Sequence, residues 1–182
     1  MRFTLLGVDP GVADTGLVAI TLDYTHRQWD VQYKVWSNVI ERDGFSVSVK
    51  HYYLDDLVDV RNRLEDLGPV FSGVEGYRPR GKNKRQDEEM SQLVQTSKSY
   101  IKNAKIIDNT GIKKVVTEPA LRLFKCSRFE QGTNHADLKS AARVALKRGI
   151  DEDTLNEMLA EFYMDNLLEG GKRWELGSIR TL

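Results

Sequence analysis

The sequence predicts an α/β fold, a mixed five-stranded sheet flanked by helices with an extra C-terminal helix. Three observations predict it. Residues 3–9, 16–22 and 29–40 are β-rich and follow one another with short connections, as in an antiparallel meander. A stretch with helical spacing then leads to a further apolar run at 70–77, and a strand reached over a helix favours a parallel partner. Beyond it the apolar residues recur mainly at helical spacing as far as residue 168.

The chain is organised around Leu5 to Ile20, where two apolar runs flank Asp9-Pro10-Gly11. Pro-Gly marks a turn, so Asp9 falls at the end of the first strand. Gly7, Gly11 and Gly16 remove side chains around that carboxylate and let backbone, a phosphate or a metal approach. An acid on an apolar strand is costly to bury unless it is paired or binds a metal. Asp14, in the turn, reads first as a solvated acid, with a place facing a bound metal as the alternative. Trp29 to Ile40 reads as the third strand. Tyr52 to Leu67 reads as a helix, with Leu54, Leu57, Val58, Arg61 and Leu64 on one face and Gly68-Pro69 as its stop.

Glu75 falls at the C-terminal end of the fourth strand, the end where ligand-contacting residues gather in such sheets. Tyr77 to Arg85 follows as an exposed basic loop without an acid. Gln86 to Lys102 is a helix with Asp87, Glu88 and Glu89 at its positive end. Lys105 to Ile107 begins a fifth strand, and Lys113 to Thr117 reads as another extended piece. Glu118 to Lys125 is a short helix with Pro119 in its first turn. His135 to Arg148 is a helix with Gly149 as its cap, and Asp151 to Leu168 is a final amphipathic helix. The tail from Gly170 reads as loosely held. Residues 1–150 form the expected main domain, with 151–182 a C-terminal helix and tail packed on it.

With 182 residues the chain has length for one sizeable core. No run approaches a membrane span, and Arg2 is followed at once by a strand rather than by a signal-peptide pattern. The single Cys126 excludes a disulfide framework and a cysteine-based zinc site. These features fit a cytoplasmic protein. The formal net charge is zero but unevenly spread. Residues 1–75 carry 7 basic and 12 acidic side chains, residues 76–150 carry 17 and 7, and residues 151–182 carry 3 and 8. A basic middle beside candidate acids points to a polyanionic substrate.

Asp9, Glu75 and Asp137, at two strand ends and one helix start, can converge at one sheet edge. Crowded carboxylates repel, and divalent cations offset that repulsion. Oxygen ligands suit Mg²⁺, with Mn²⁺ as a substitute. Two such ions can activate water against a phosphodiester.

Asp9-Pro10-Gly11 followed by Thr15-Gly16, Val74-Glu75-Gly76, and Asp137 to Leu146 occur in an order that resembles the RuvC-type Holliday-junction resolvases of the ribonuclease H-like superfamily. The resemblance covers most of residues 3–148, by motif order rather than close identity. It implies a ribonuclease H-like sheet and a metal-dependent endonuclease that resolves four-way or branched DNA in recombination and repair. Asp9, Glu75 and Asp137 then hold two Mg²⁺, with His135 as an extra ligand. Ser140 stands where the family has a fourth acid. In an alternative register Asp137 matches that fourth acid and Asn134 the third. Lys125 matches the basic residue that the family delivers to the scissile phosphate. Tyr77, Arg78, Arg80, Lys82, Lys84, Arg85, Lys113, Lys114, Arg122 and Arg128 are the expected DNA contacts. A homodimer is expected through the helix after Glu75, with Met90, Leu93, Val94 and Ile101 as contacts. A compact resolvase of this kind suits a virus or phage, acting in the host cytoplasm. The alternatives are another ribonuclease H-like nuclease, acting on flaps or RNA–DNA hybrids, and a non-catalytic junction-binding protein.

Overall fold

The computed structural model describes residues 1–37, 39–43, 46–50, 53–79, 81–130, 135–168 and 173–182; for 39–43, 46–50 and 135 it describes the backbone alone. The first strands are β1 (Arg2–Asp9), β2 (Asp14–Asp23) and β3 (Gln28–Ser37), a meander in which β2 runs antiparallel to both neighbours. A separate hairpin follows, β4 (Val39–Asp43) with β5 (Ser46–Lys50), which among the described residues pair with each other and not with the main sheet. The predicted third strand therefore ends at Ser37, and residues 39–40 belong to that hairpin. Helix α1 (Tyr53–Glu65) crosses to β6 (Val70–Glu75), which pairs in parallel with β1. Helix α2 (Lys84–Tyr100) crosses to β7 (Lys105–Ile107), which pairs in parallel with β6.

Next come α3 (Ile112–Val115), α4 (Glu118–Leu123), α5 (His135–Ile150), α6 (Asp153–Leu167) and β8 (Glu175–Thr181). The six-stranded sheet has the order β7-β6-β1-β2-β3-β8. Alternation along β1 sends Phe3 and Leu5 to one face and Leu6 and Val8 to the other. The first face is covered by α4, α5 and α6, through Leu121, Leu138, Ala142, Leu146, Leu159 and Phe162. The second is covered by α1 and α2, through Leu57, Val60, Leu64, Leu93 and Val94. Among the described residues no helix is long and apolar enough to cross a membrane.

Four expectations are corrected. Residues 112–115 are helical, not extended: Gly111 takes a left-handed conformation (φ +74°) that turns the chain, and Val116 N–H donates to Ile112 O at 2.7 Å. Tertiary context here overrides the β-preference of Val115 and Val116. Gly149 does not cap α5 but lies within it, and a Cβ there would come within 2.9 Å of Leu5 Cδ1 and 2.7 Å of Leu159 Cδ1. Leu93, Val94 and Ile101 are buried against α1 and the sheet, and Met90 packs against the same cluster. The apolar face of α2 is thus used inside the domain.

The tail is not loose. It adds β8 in parallel to β3, giving a sixth strand where five were expected. Trp174 anchors it: its ring meets Tyr24 at 4.5 Å and Phe162 at 5.0 Å, and Nε1–H donates to Asp165 Oδ2 at 3.1 Å. Arg27 donates to the same oxygen at 2.6 Å. Trp174→Ala is expected to destabilise the fold by about 3–5 kcal/mol, since a buried indole is removed and a cavity left. Urea unfolding measures this, and a loss below about 1 kcal/mol would mean that the tail is not part of the cooperative unit.

Candidate active site

Asp9 is the last residue of β1 and Glu75 the last of β6. The register opposes Val8 to Val74, so the two carboxylates stand side by side at one edge of the sheet. Period-two alternation turns Gly7 and Asp9 on β1, and Gly73 and Glu75 on β6, toward α5.

Glycines let α5 come down onto that edge. A Cβ on Gly7 would lie 1.9 Å from Ala141 O and 2.5 Å from Ala145 N. One on Gly16 would lie 2.8 Å from the carbonyl of Asp137, and one on Gly73 would lie 3.0 Å from Val144 Cγ1. Three strands thus offer bare backbone to the helix. Its first turns carry Asp137 and Ser140 to the strand ends, and the Ser140 hydroxyl donates a hydrogen bond to Glu75.

The result is a crowded acidic site. Burial, then the Glu75 carboxylate, pushes the Asp9 carboxyl up to about 9. A protonated Asp9 donates to Glu75, and the charge of Asp137 adds to the shift. Asp137 is also raised, by burial first, then by Asp14 and Glu75. Asp14, read from sequence as a solvated acid, is therefore within electrostatic reach of the site. Its Oδ1 accepts from Ser37 Oγ at 2.7 Å.

An open cleft of about 460 Å³ runs beside these acids, lined by Asp9, Lys113, Glu118, Ala136, Asp137, Lys139, Ser140 and Arg143. Glu118 accepts from Lys139 Nζ at 3.2 Å and from Arg143 Nη2 at 3.1 Å. Arg143 Nε donates to Val116 O at 3.4 Å. The bond from Lys139, with the nearby cations, holds the Glu118 carboxyl below its usual range.

Of the residues expected from sequence, Asp9, Glu75 and Asp137 come together, and Lys113 lines the cleft beside them. Lys125 does not line it. It is exposed after α4, with a left-handed backbone (φ +59°). Lys114, Arg122 and Arg128 are exposed and also lie outside the cleft lining. Tyr77 is half-buried against the α1–α2 core, and its hydroxyl donates to Asp87. Gly81 N–H donates to the same carboxylate at 2.8 Å, so Asp87 pins the base of the basic loop. Arg78 pairs with Asp108 at 2.8 Å, Arg85 with Glu89 at 2.9 Å, and Lys82 and Lys84 are exposed. Arg80, Asn134 and the His135 side chain lie outside the described residues.

Sequence reasoning missed Glu118, Lys139 and Arg143. One signal was available: residues 136, 139, 140 and 143 form a single helical stripe, next to Asp137. Nothing in the sequence placed α3 and α4 opposite that stripe.

Strands β7-β6-β1-β2-β3, with β2 alone reversed, carry acids at the ends of β1 and β6 and in the first turn of α5. The fold is ribonuclease H-like. Solved structures similar to the chain include Thermus thermophilus RuvC in complex with a Holliday-junction substrate, at 11% identity over 87% of this chain and 96% of that one, with a TM-score of 0.48. Fowlpox virus resolvase with its substrate Holliday junction DNA matches at 14% identity over 87% and 99%, with a TM-score of 0.34. The Mn-bound nuclease domain of the bacteriophage SPP1 large terminase matches at 14% over 80% and 85%, with a TM-score of 0.31. No family model and no curated protein matches the chain.

Proposed function

We propose that the protein is a divalent-cation-dependent endonuclease that cuts branched DNA, with the four-way junction as its first substrate. The observation that carries this reading is the half-buried Asp9–Glu75 pair faced by Asp137. Among the described residues no three acidic, histidine or cysteine side chains are gathered tightly enough to hold a metal ion as they stand. The chemistry of the donors nevertheless fits one. The set is all hard oxygen, and burial together with the neighbouring Glu75 carboxylate holds the Asp9 carboxyl well above the ordinary carboxylate range.

Asp9, Glu75 and Asp137 would hold Mg²⁺ or Mn²⁺. When bound, such ions supply charge neutralisation and Lewis acidity toward a phosphodiester. The chain's own residues do the positioning. Ser140 orients Glu75 through its hydroxyl, which suits a hydrogen-bond donor better than a fourth carboxylate in this crowd. The N-terminal end of α5 adds its positive dipole to the same spot. Arg78 and Lys82 before α2 and Lys84 and Arg85 in its first turn, all exposed, would track phosphates and carry no sequence information by themselves. A two-fold junction is most simply cut by a two-fold dimer, so a homodimer belongs to this proposal.

The test is cleavage of a labelled four-way junction in Mg²⁺, beside duplex, flap and RNA–DNA hybrid, for wild type and Glu75→Gln. Paired symmetric nicks, lost in the variant, are expected. Cutting of hybrid or flap without junction would move the protein to another nuclease class. Junction binding without cutting in Mg²⁺ or Mn²⁺ would leave a binding protein.

A further inference from the structure

The cleft holds an intramolecular ion triad that the acidic site does not need. Glu118, at the start of α4, bridges two cations on α5 with its two oxygens, Lys139 through Oε1 and Arg143 through Oε2. All three line the cleft that also carries Asp9 and Asp137. Their surroundings differ. The Arg143 side chain is 12% exposed and is tied to the Val116 carbonyl, so its guanidinium is fixed in advance. Glu118 is 37% exposed, on a helix of six residues.

We propose that Glu118 stands in for a DNA backbone phosphate, and that a phosphate entering the cleft takes Lys139 and Arg143 over from it. The proposal rests on the nuclease reading above and names the groups that receive the substrate's phosphate. Lys125, the residue that the resemblance points to, is not at the cleft, whereas these two cations are.

The physical reason lies in the charge balance of the cleft. A phosphate approaching Asp9 and Asp137 meets carboxylates, and only cations beside them offset that repulsion. Left unpaired, a mostly buried guanidinium is costly, so the empty protein must supply an anion of its own. Glu118 does so from a mobile-length side chain at the cleft wall. Substrate binding then exchanges one anion for another, and the local charge stays balanced. Phosphate oxygens match the guanidinium fork and accept from the lysine ammonium as well, so they can replace both carboxylate contacts.

The test measures the affinity of the full chain for a labelled four-way junction in chelator, across a salt series. Glu118→Gln keeps the shape, removes the competing charge, and is expected to bind about tenfold more tightly. Lys139→Gln is expected to bind about tenfold more weakly, with the slope of log K against log salt reduced by about one. Arg143→Lys is expected to weaken binding while keeping the fold. In the double variant Glu118→Gln with Lys139→Gln, most of the tightening should vanish, because the two changes act on one pair. If Glu118→Gln binds equally or more weakly while wild type binds well, the phosphate stand-in is overturned and the nuclease reading survives. If wild type binds no DNA under any salt condition, the functional reading fails and this proposal with it.

Discussion

Asp9→Asn is expected to abolish cleavage and, in the same protein, to stabilise the metal-free fold. The loss of activity should reach about a thousandfold or more, as for removal of a residue central to transition-state stabilisation. The gain in stability follows from linkage. The Asp9 carboxyl sits at about 9 in the folded chain, against an ordinary 3.8. Below both values it is protonated in folded and unfolded chains alike, and its effect on stability is nil. As pH rises between them, the unfolded chain loses the proton and the folded chain keeps it. Stability therefore falls with pH across that window, by up to about 1.4 kcal/mol per pH unit. Sharing of the proton with Glu75 makes the realised loss smaller than this limit.

The amide of Asn removes the titration and still donates to Glu75. At pH 8 in chelator the variant should exceed wild type by about 2 kcal/mol, or about 4–8 °C in Tm for a chain of this size. Its stability should also vary less between pH 5 and pH 8. Added Mg²⁺ should raise the Tm of wild type and leave that of the variant nearly unchanged. A variant no more stable than wild type, with the same pH dependence, would mean that Asp9 is not held against its charge.

Gly7→Val is expected to cost several kcal/mol and to leave little folded protein at 37 °C. The atoms that a Cβ would meet, Ala141 O at 1.9 Å and Ala145 N at 2.5 Å, are helix backbone and cannot swing aside. Helix α5 would have to lift from β1, opening the Leu5, Leu138 and Ala142 core with it. Overpacking of a tight interface typically costs about 1–3 kcal/mol, and a clash with backbone lies above that range. Gly16→Ala separates fold from site. Its clash, 2.8 Å from the Asp137 carbonyl, lies at the first turn of the helix, where a small shift relieves it. Activity should drop far more than stability. The check is urea unfolding beside cleavage for both variants; a Gly7→Val protein as stable as wild type would show that α5 does not rest on β1 backbone.

Much of this protein was legible in its residues. The apolar runs at 3–9 and 70–77 put Asp9 and Glu75 at strand ends, and the parallel register of β1 against β6, Val8 opposite Val74, put them on one face. Helical spacing from His135 to Arg148 marked α5, while the close approach of its Ala141 and Ala145 backbone to Gly7 came only with the structure. The glycines around Asp9 were read as room for a phosphate or a metal as well as backbone, and it is the backbone of α5 that fills the space over Gly7 and Gly16. Periodicity says which face is covered and is silent on what covers it.

The sequence by itself determined the acids, the strand ends they occupy and the helix that brings the third. Only the tertiary structure decided the rest. Packing of α3 and α4 against α5 set Lys113, Glu118, Lys139 and Arg143 around one cleft and left Lys125 outside it. Docking of Trp174 between Tyr24 and Phe162 turned the tail into a sixth strand. These are contacts between segments far apart in the chain, made by surface charges and one buried ring, and local pattern carries no information about such partners.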